Sequence, residues 1–373
     1  MAERATPMPE RFTLGIEEEF QLVDPVTGEL KSHIEAMLAA GGHLGDQIKP
    51  ELHQSVVEVG TPICADVREA REAVLGLRRS LVHMAEASGA RILAAGTHPF
   101  SHWKDQEITD RIRYKDIVNE MEDLARANLI FGLHVHVGVE DREMQIQIMN
   151  GVRAFLPHLL ALSVNSPFWC GRKTGVKSVR STIFKRFPRT QIPDFYYSWE
   201  DYQKYVELLV RTNCIDDAKK IWWDIRPHAY FKTLEFRICD IPCRAEETVA
   251  IAALTQALVV KLYRLFESNL GVRVYHRAII MENKFRALRM GLDGKMIDFG
   301  LKHEVPTRQL IHEVLGFVDD VVDDLGTRGE MEFLRVWATA GDTGADRQIR
   351  VFQATQSLRA IVELLVDETK RGL

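Results

Sequence analysis

The chain has 373 residues, of which 46% are hydrophobic and 27% are charged, a composition ordinary for a globular protein with a large core. The net charge of −5 is small and the basic residues are spread along the chain, which argues against a nucleic-acid partner. The N-terminus lacks a signal-peptide core, and no apolar run approaches the roughly 18 residues of a membrane span. Five cysteines, in no metal-ligand pattern, favour reduced thiols. We therefore expect a cytoplasmic protein with no membrane partner.

Short strand-like runs dominate up to about residue 60 and then alternate with helices. Asp66 predicts the N-cap of a long helix that stops at Gly89, because apolar residues recur between them at helical spacing. The buried strand "RILAAG" follows this helix. Strands that alternate apolar and polar residues favour an antiparallel sheet with helices packed against it, an α+β fold. Further helices are predicted over 142–163, 201–212, 245–269 and most of the last hundred residues, and a long loop is predicted over 171–198.

Polar side chains gather on one face of four predicted strands. Alternate residues of a strand share a face, so Glu17 and Glu19 of "LGIEEEF" lie together while Glu18 points to the opposite side. The strands "QSVVEVG", "FGLHVHVGV" and "KTLEFRICD" follow the same rule, with hydrophobic residues on their other face. The residues expected on the polar face are Glu17, Glu19, Glu58, His134, His136, Glu235 and Arg237.

This polar face has two interpretations. A solvated sheet face is the simpler explanation for Glu17 and Glu19 alone, and satisfied structural histidines explain His134 and His136 equally well. The whole set favours a metal site, because solvated faces usually carry lysine, serine and threonine as well as acids. Hard divalent cations prefer carboxylate oxygens, and imidazole is a more natural ligand for Mn²⁺ than for Mg²⁺.

Eight segments, in order from about residue 12 to the C-terminus, resemble the type 2 glutamate–cysteine ligase family. They include G-I-E-E-E-F, H-Q-S-V-V-E-V-G-T-P, A-G-T-H-P-F, G-L-H-V-H-V-G and T-L-E-F-R-I-C-D. The resemblance implies a curved, mainly antiparallel sheet that forms a funnel-shaped active site with helices outside, similar to glutamine synthetase. It also implies one catalytic domain over 1–373, with 1–11 flexible, and a homodimer. The cofactors implied are ATP and two or three Mg²⁺ or Mn²⁺ ions.

The resemblance also assigns roles to single residues. His136 would lie beside the phosphates or the substrate, and Arg237 would contact the transferred phosphoryl group. Glu51 would lie near the amine substrate, as a base or an ammonium anchor, and Arg113 and Tyr114 match an R-Y pair in the funnel. The five positions that match metal ligands of the family are Glu17, Glu19, Glu58, His134 and Glu235.

The segment "GRKTGVKSVR" at 171–180 departs from the family pattern, because Lys173 replaces an acid and Val179 replaces an aromatic residue. This change leaves the metal-binding strands intact and puts the identity of the substrate in doubt. Neither a P-loop nor a G-x-G-x-x-G fingerprint is present, so ATP has to be held in another way. Four basic residues are expected to bind nucleotide phosphate or a substrate carboxylate, namely Arg172, Lys177, Arg180 and Arg226. For those on the predicted loop, a solvated surface is an equal alternative.

The function expected from these residues is ATP-dependent joining of a carboxylate, first of all the side chain of glutamate, to a small-molecule amine. A carboxylate becomes an acylating agent when it is phosphorylated, and that transfer needs metal ions and arginine to neutralise charge. The altered 171–180 segment leaves open a metal-dependent amide or amidine hydrolase on the same scaffold. A non-catalytic binding protein is the third alternative, which the retention of every expected metal ligand disfavours.

Overall fold

The computed structural model describes residues 12–40 and 45–373, so the flexibility predicted for 1–11 lies outside the described residues. The described strands are β1 (Leu14–Val23), β2 (Ile48–Pro50), β3 (Val56–Gly60), β4 (Arg91–Leu93), β5 (Gly132–Gly138), β6 (Phe168–Trp169), β7 (Arg172–Lys173), β8 (Thr190–Gln191), β9 (Trp222–Trp223), β10 (Ile225–Pro227), β11 (Thr233–Asp240), β12 (Lys295–Asp298) and β13 (His303–Pro306). The described helices are α1 (Ile34–Ala40), α2 (Val67–Ala87), α3 (Ile112–Met121), α4 (Asp123–Arg126), α5 (Arg142–Val152), α6 (Leu156–Ser163), α7 (Val179–Phe184), α8 (Trp199–Arg211), α9 (Ala245–Glu267), α10 (Arg277–Met290), α11 (Thr307–Phe317), α12 (Asp319–Val322), α13 (Arg328–Ala340), α14 (Gly344–Thr355) and α15 (Leu358–Lys370).

Seven strands form one open sheet in the order β10-β11-β5-β1-β3-β2, with β4 paired to β1. Every pair in this sheet is antiparallel, as the alternation of apolar and polar residues predicts. Helices α2 and α9 pack against one face of the sheet, and β1 and β5 contribute buried residues such as Ile16 and Val135 to that contact. The predicted combination of an antiparallel sheet with helices outside is confirmed.

The helix predicted after Asp66 is α2. The Asp66 side chain accepts the backbone N–H of Glu69, which caps the helix, and Gly89 follows its end with a φ of +79°. The helix predicted over 142–163 is divided into α5 and α6, because Pro157 begins a new helix in its first turn.

Helix α9 is apolar on all sides. Its 23 residues are long and apolar enough to cross a membrane by length and composition, although no membrane span is expected from the sequence. In the fold, 72% of its most apolar window is buried, between the sheet and helices such as α2, α5 and α13. A helix covered on every side needs apolar residues on every side, which accounts for this composition.

The prediction of a long loop over 171–198 is wrong, because the segment contains two short strands and a short helix. Residues Arg172 and Lys173 pair with β6, and Ser178 caps the short helix α7 by accepting the N–H of Ser181. These elements are two to six residues long, too short to show periodicity in the sequence. Val179, which replaces an aromatic residue of the family pattern, is buried in a hydrophobic cluster.

The central glutamate of the E-E-E run is buried on the helix-covered face of the sheet. Glu18 accepts two hydrogen bonds from the Arg78 guanidinium of α2, at 3.0 Å and 2.5 Å, and a third from the Thr248 hydroxyl of α9 at 2.7 Å. Both members of the ion pair are at most 2% exposed. The sequence placed Glu18 on this side but gave no indication of its partner, which lies 60 residues away.

We expect Arg78→Met to lower the free energy of unfolding by about 3–5 kcal/mol, because the Glu18 carboxylate stays buried without its cation. Urea unfolding measures this loss, and the double variant Glu18→Gln/Arg78→Met should recover part of it. The matched control is Lys204→Met, which removes an exposed pair with Glu200 on α8 and should have little effect. An Arg78→Met protein as stable as the wild type would contradict this account of the ion pair.

Candidate active site

The strand register brings the predicted polar residues side by side. Glu17 on β1 lies opposite His134 on β5, and Glu19 lies opposite Glu58 on β3. Glu235 on β11 lies opposite His136 on β5. Directly opposed residues of antiparallel strands have Cβ atoms about 4.5–5.5 Å apart, so their side chains meet above the sheet. The polar face is therefore one continuous surface across four strands.

This surface is the floor of a cavity of about 700 Å³. The cavity lies on the face of the sheet opposite Glu18. Arg113, Tyr114 and His228 also lie in its wall. Ten of the twelve predicted site residues line it, namely Glu17, Glu19, Glu51, Glu58, His134, His136, Arg180, Arg226, Glu235 and Arg237.

Two groups of metal-ligand type share one carboxylate. Glu17, Glu58 and His134 form one group, and Glu17, His136 and Glu235 form the other. Within each group the ligand atoms lie within 4.8 Å of one another. The five side chains would suit divalent cations, and Glu17 is common to both groups.

The carboxylates repel one another strongly. Burial, followed by the charges of Glu51, Glu17 and Glu19, raises the pKa of Glu58 well above its ordinary value. Burial and the charge of Glu19 likewise raise the pKa of Glu51 to about 7, although Arg113 opposes the shift. A divalent cation would offset this repulsion, because it favours the ionised form of each neighbouring carboxylate.

The donor set suits such a cation. Three carboxylates and two imidazoles meet here, and the buried His136 Nε2 has no hydrogen-bond partner among the described residues. Burial would raise the pKa of Glu17, but the neighbouring imidazoles of His134 and His136 hold it well below its ordinary value. Glu17 is therefore ionised, and its Oε2 lies 3.2 Å from His134 Nδ1.

Two arginines hold the carboxylate of Glu235. Arg226 Nε donates to Glu235 Oε2 at 2.8 Å, and Arg237 Nη1 donates to Oε1. Burial would raise the pKa of Glu235, but the charges of Arg237 and Arg226 keep it well below its ordinary value. Arg226 is buried and the Arg237 side chain is 14% exposed, so both charges lie at a largely desolvated edge of the cavity.

Gly132 allows Glu19 and Arg180 to approach one another at the start of β5. Its backbone N–H donates to Glu19 Oε2 at 2.5 Å. A Cβ atom at Gly132 would lie 2.4 Å from Arg180 Nη2, so a side chain here would displace the guanidinium. Burial raises the pKa of Glu19, and Arg180 is the strongest charge that opposes this shift.

Two of the predicted basic residues lie elsewhere. Lys177 Nζ pairs with Asp293 at 2.7 Å and Asp346 at 2.5 Å, and Arg172 is exposed on β7. Neither is among the residues that line the cavity, because the 171–180 segment turns between β7 and α7 and directs only Arg180 inward. The prediction that both bind nucleotide therefore lacks support from the fold.

Several residues of the cavity wall were missed in the sequence. Lys49 on β2 lies opposite Glu58, with Nζ 3.9 Å from its Oε1. The alternation in "IKPEL" was a usable signal, but a three-residue strand is too short to stand out. Tyr230 and Phe231 lie in a turn and carry no periodicity at all.

The sequence of the chain matches a known protein family. The sequence model of glutamate-cysteine ligase family 2 matches residues 13–364. A relative from Solibacter usitatus (strain Ellin6076), provisionally named glutamate–cysteine ligase 2, is 57% identical over 364 residues, which cover 97% of this chain and 94% of the relative. A relative of the same provisional name from Roseiflexus castenholzii (strain DSM 13941 / HLO8) is 56% identical over 363 residues, covering 97% and 96%.

Solved structures share the fold at low sequence identity. A glutamate–cysteine ligase from Francisella tularensis, in complex with AMP, has a TM-score of 0.72 at 12% identity and covers 97% of this chain and 90% of its own. A bifunctional glutathione synthetase from Pasteurella multocida has a TM-score of 0.68 at 14% identity, covering 96% and 51%. With the sequence relatives, these findings confirm the predicted family, and the chain belongs to glutamate-cysteine ligase family 2 and is an ATP-dependent carboxylate–amine ligase.

Proposed function

We propose that the protein phosphorylates the side-chain carboxylate of glutamate with ATP and joins the resulting acyl phosphate to a small-molecule amine. The observation that carries this proposal is the sharing of Glu17 between two carboxylate–imidazole groups, with Arg237 next to them. Phosphoryl transfer between two anions requires positive charge, which Arg237 and cations held by these groups would supply. The cavity of about 700 Å³ has room for both reactants.

The ions proposed are Mg²⁺ or Mn²⁺, held by Glu17, Glu58 and His134 on one side and by Glu17 and Glu235 on the other. Glu19 lies in the same wall, where it serves as a further oxygen donor from β1. When bound, the ions neutralise charge on the transferring phosphoryl group. The hard oxygen donors of this set support divalent cations of that type.

Arg237 is proposed to stabilise the negative charge that develops during transfer. Its guanidinium lies in the cavity wall and is fixed by Glu235, so it needs little reorganisation when the charge appears. Arg226 is anchored by the carbonyl of Lys219, at 2.8 Å, as well as by Glu235, and contributes a second fixed charge. Arg180 lies near Glu19 and is proposed to contact nucleotide phosphate.

Glu51 is proposed to receive the proton of the attacking amine. It lies in the cavity wall with Arg113, and its pKa of about 7 allows proton exchange near neutral pH. Tyr114 fixes this part of the wall, because its hydroxyl donates to the Pro50 carbonyl at 2.9 Å.

A single catalytic domain, a cytoplasmic location and a homodimer remain predictions that rest on the sequence.

We expect purified protein with Mn²⁺ or Mg²⁺, ATP and glutamate to release ADP only when a suitable amine from a panel is added. Glu235→Gln should lower kcat by about 100-fold or more, because the neutral amide weakens the pairing with Arg237 and replaces a carboxylate proposed to hold a cation. The assay is coupled ADP release, with EDTA as the metal-free control. Cleavage of candidate amide products without ATP would contradict the proposal in favour of a hydrolase.

Two residues of the 171–180 segment provide a matched comparison. We expect Arg180→Met to raise the KM for ATP or lower kcat, because it removes a fixed charge from the cavity. Lys177→Met should leave both constants near their wild-type values and lower only thermal stability, because its partners Asp293 and Asp346 lie outside the residues that line the cavity. Steady-state kinetics and a thermal melt of both variants check this, and equal kinetic defects would contradict the assignment.

A further inference from the structure

A buried ion pair lies behind the wall of the cavity. Lys284 on α10 has its Nζ 2.6 Å from Asp224 Oδ2, and the two side chains are 3% and 4% exposed. Neither residue is among those that line the cavity in the described part of the chain. Apolar side chains of similar volume often stabilise a fold as well as a buried ion pair does, so stability alone explains this pair poorly.

Asp224 is bonded through its backbone to the arginine that is proposed to act in phosphoryl transfer. The Arg237 N–H donates to the Asp224 carbonyl oxygen at 2.8 Å. At this point the register of β11 with β5 shifts, between Phe236 and Cys239. A bulge of this kind changes the direction in which a side chain points and is common beside active sites. The position of the Arg237 backbone therefore depends on where Asp224 lies.

Gln191 connects the same ion pair to a strained stretch of backbone. Its φ of +80° is unfavourable for a residue with a side chain and persists only where surrounding contacts enforce it. Lys284 Nζ donates to Gln191 Oε1 at 3.1 Å, and the Asp224 N–H donates to the Gln191 carbonyl oxygen at 2.9 Å. One ammonium group thus binds both residues that hold this backbone in place.

We propose that Lys284 is a positioning residue for Arg237. By holding Asp224 and Gln191, it fixes the backbone from which the Arg237 guanidinium reaches Glu235 and the cavity. The inference rests on the proposed role of Arg237 and adds a residue of α10 that acts on it from outside the cavity. A small displacement of a fixed charge weakens transition-state stabilisation more than substrate binding. Loss of Lys284 should therefore lower kcat and leave KM nearly unchanged.

Steady-state kinetics of Lys284→Met, which keeps the length of the side chain and removes its charge, tests this role. We expect kcat for ADP release to fall by about tenfold, with the KM for ATP and for glutamate within about twofold of the wild type. Lys284→Arg should restore part of kcat, because it keeps a cation beside Asp224. Lys177→Met is the matched control, since it breaks a pair with Asp346 whose side chains are 11% and 14% exposed, and it should leave kcat unchanged. A wild-type kcat in Lys284→Met would overturn the inference.

A double-mutant cycle separates positioning from a general loosening of the fold. In an Arg237→Lys protein, Lys284→Met should lower kcat by less than about twofold, because the guanidinium that Lys284 positions is absent. An equal loss in both backgrounds would overturn the inference. A second variant, Gln191→Gly, covers the case in which Lys284→Met does not fold. Glycine tolerates a positive φ, so this variant should keep its melting temperature and still have a lower kcat, and a wild-type kcat would again overturn the inference.

Hydrogen exchange of the protein without substrates tests the same link independently of ligase activity. Backbone amides of 233–240 should exchange faster in Lys284→Met, and those of β3 should exchange as in the wild type. Unchanged exchange at 233–240 would overturn the inference. Faster exchange at 233–240, combined with a wild-type protein that releases no ADP with any amine, would count against the proposed function alone.

Discussion

The mutual repulsion of buried carboxylates is the constraint on which the site depends. The antiparallel register of β1 with β3 and β5 brings Glu17, Glu19 and Glu58 within reach of one another, with His134 beside them. Isolated in an apolar interior, such a group would take up protons, as the raised pKa of Glu58 shows. Cations, fixed arginines and a polar cavity therefore have to accompany the strands that carry these acids.

The two faces of strand β1 carry glutamates in different environments. On one face Glu17 and Glu19 contribute oxygen to the cavity, and on the other Glu18 is buried beneath α2 and α9 with Arg78 as its partner. A shift of one residue would exchange these faces and bury two carboxylates without a cation. The ion pair at Glu18 thus opposes register slippage at the strand where the site is most sensitive to it.

The sequence predicted those parts of the fold that repeat along a strand or helix. Period-two alternation placed Glu17, Glu19 and Glu58 on one face, and the family resemblance supplied Glu51. Arg180 was predicted only as one of the basic residues of the 171–198 segment, with a solvated surface as the equal alternative. The partner of Glu18 and the position of Lys177 could not be predicted from the sequence, because both depend on contacts between residues 60 or more positions apart. Short elements such as α7 were missed for the same reason, since tertiary packing rather than local preference determines them.

The two ends of the segment 177–180 are held by different parts of the molecule. Lys177 is fastened to Asp293 and to Asp346 at the start of α14, while Arg180 projects into the cavity three residues later. Arg180 is itself held by the sheet, because its guanidinium donates to the carbonyl oxygens of Ile238 and Arg237 on β11, at 3.3 Å and 3.2 Å. The charge in the cavity is therefore positioned independently of Lys177, and the contact with the C-terminal helices can vary in sequence without moving it.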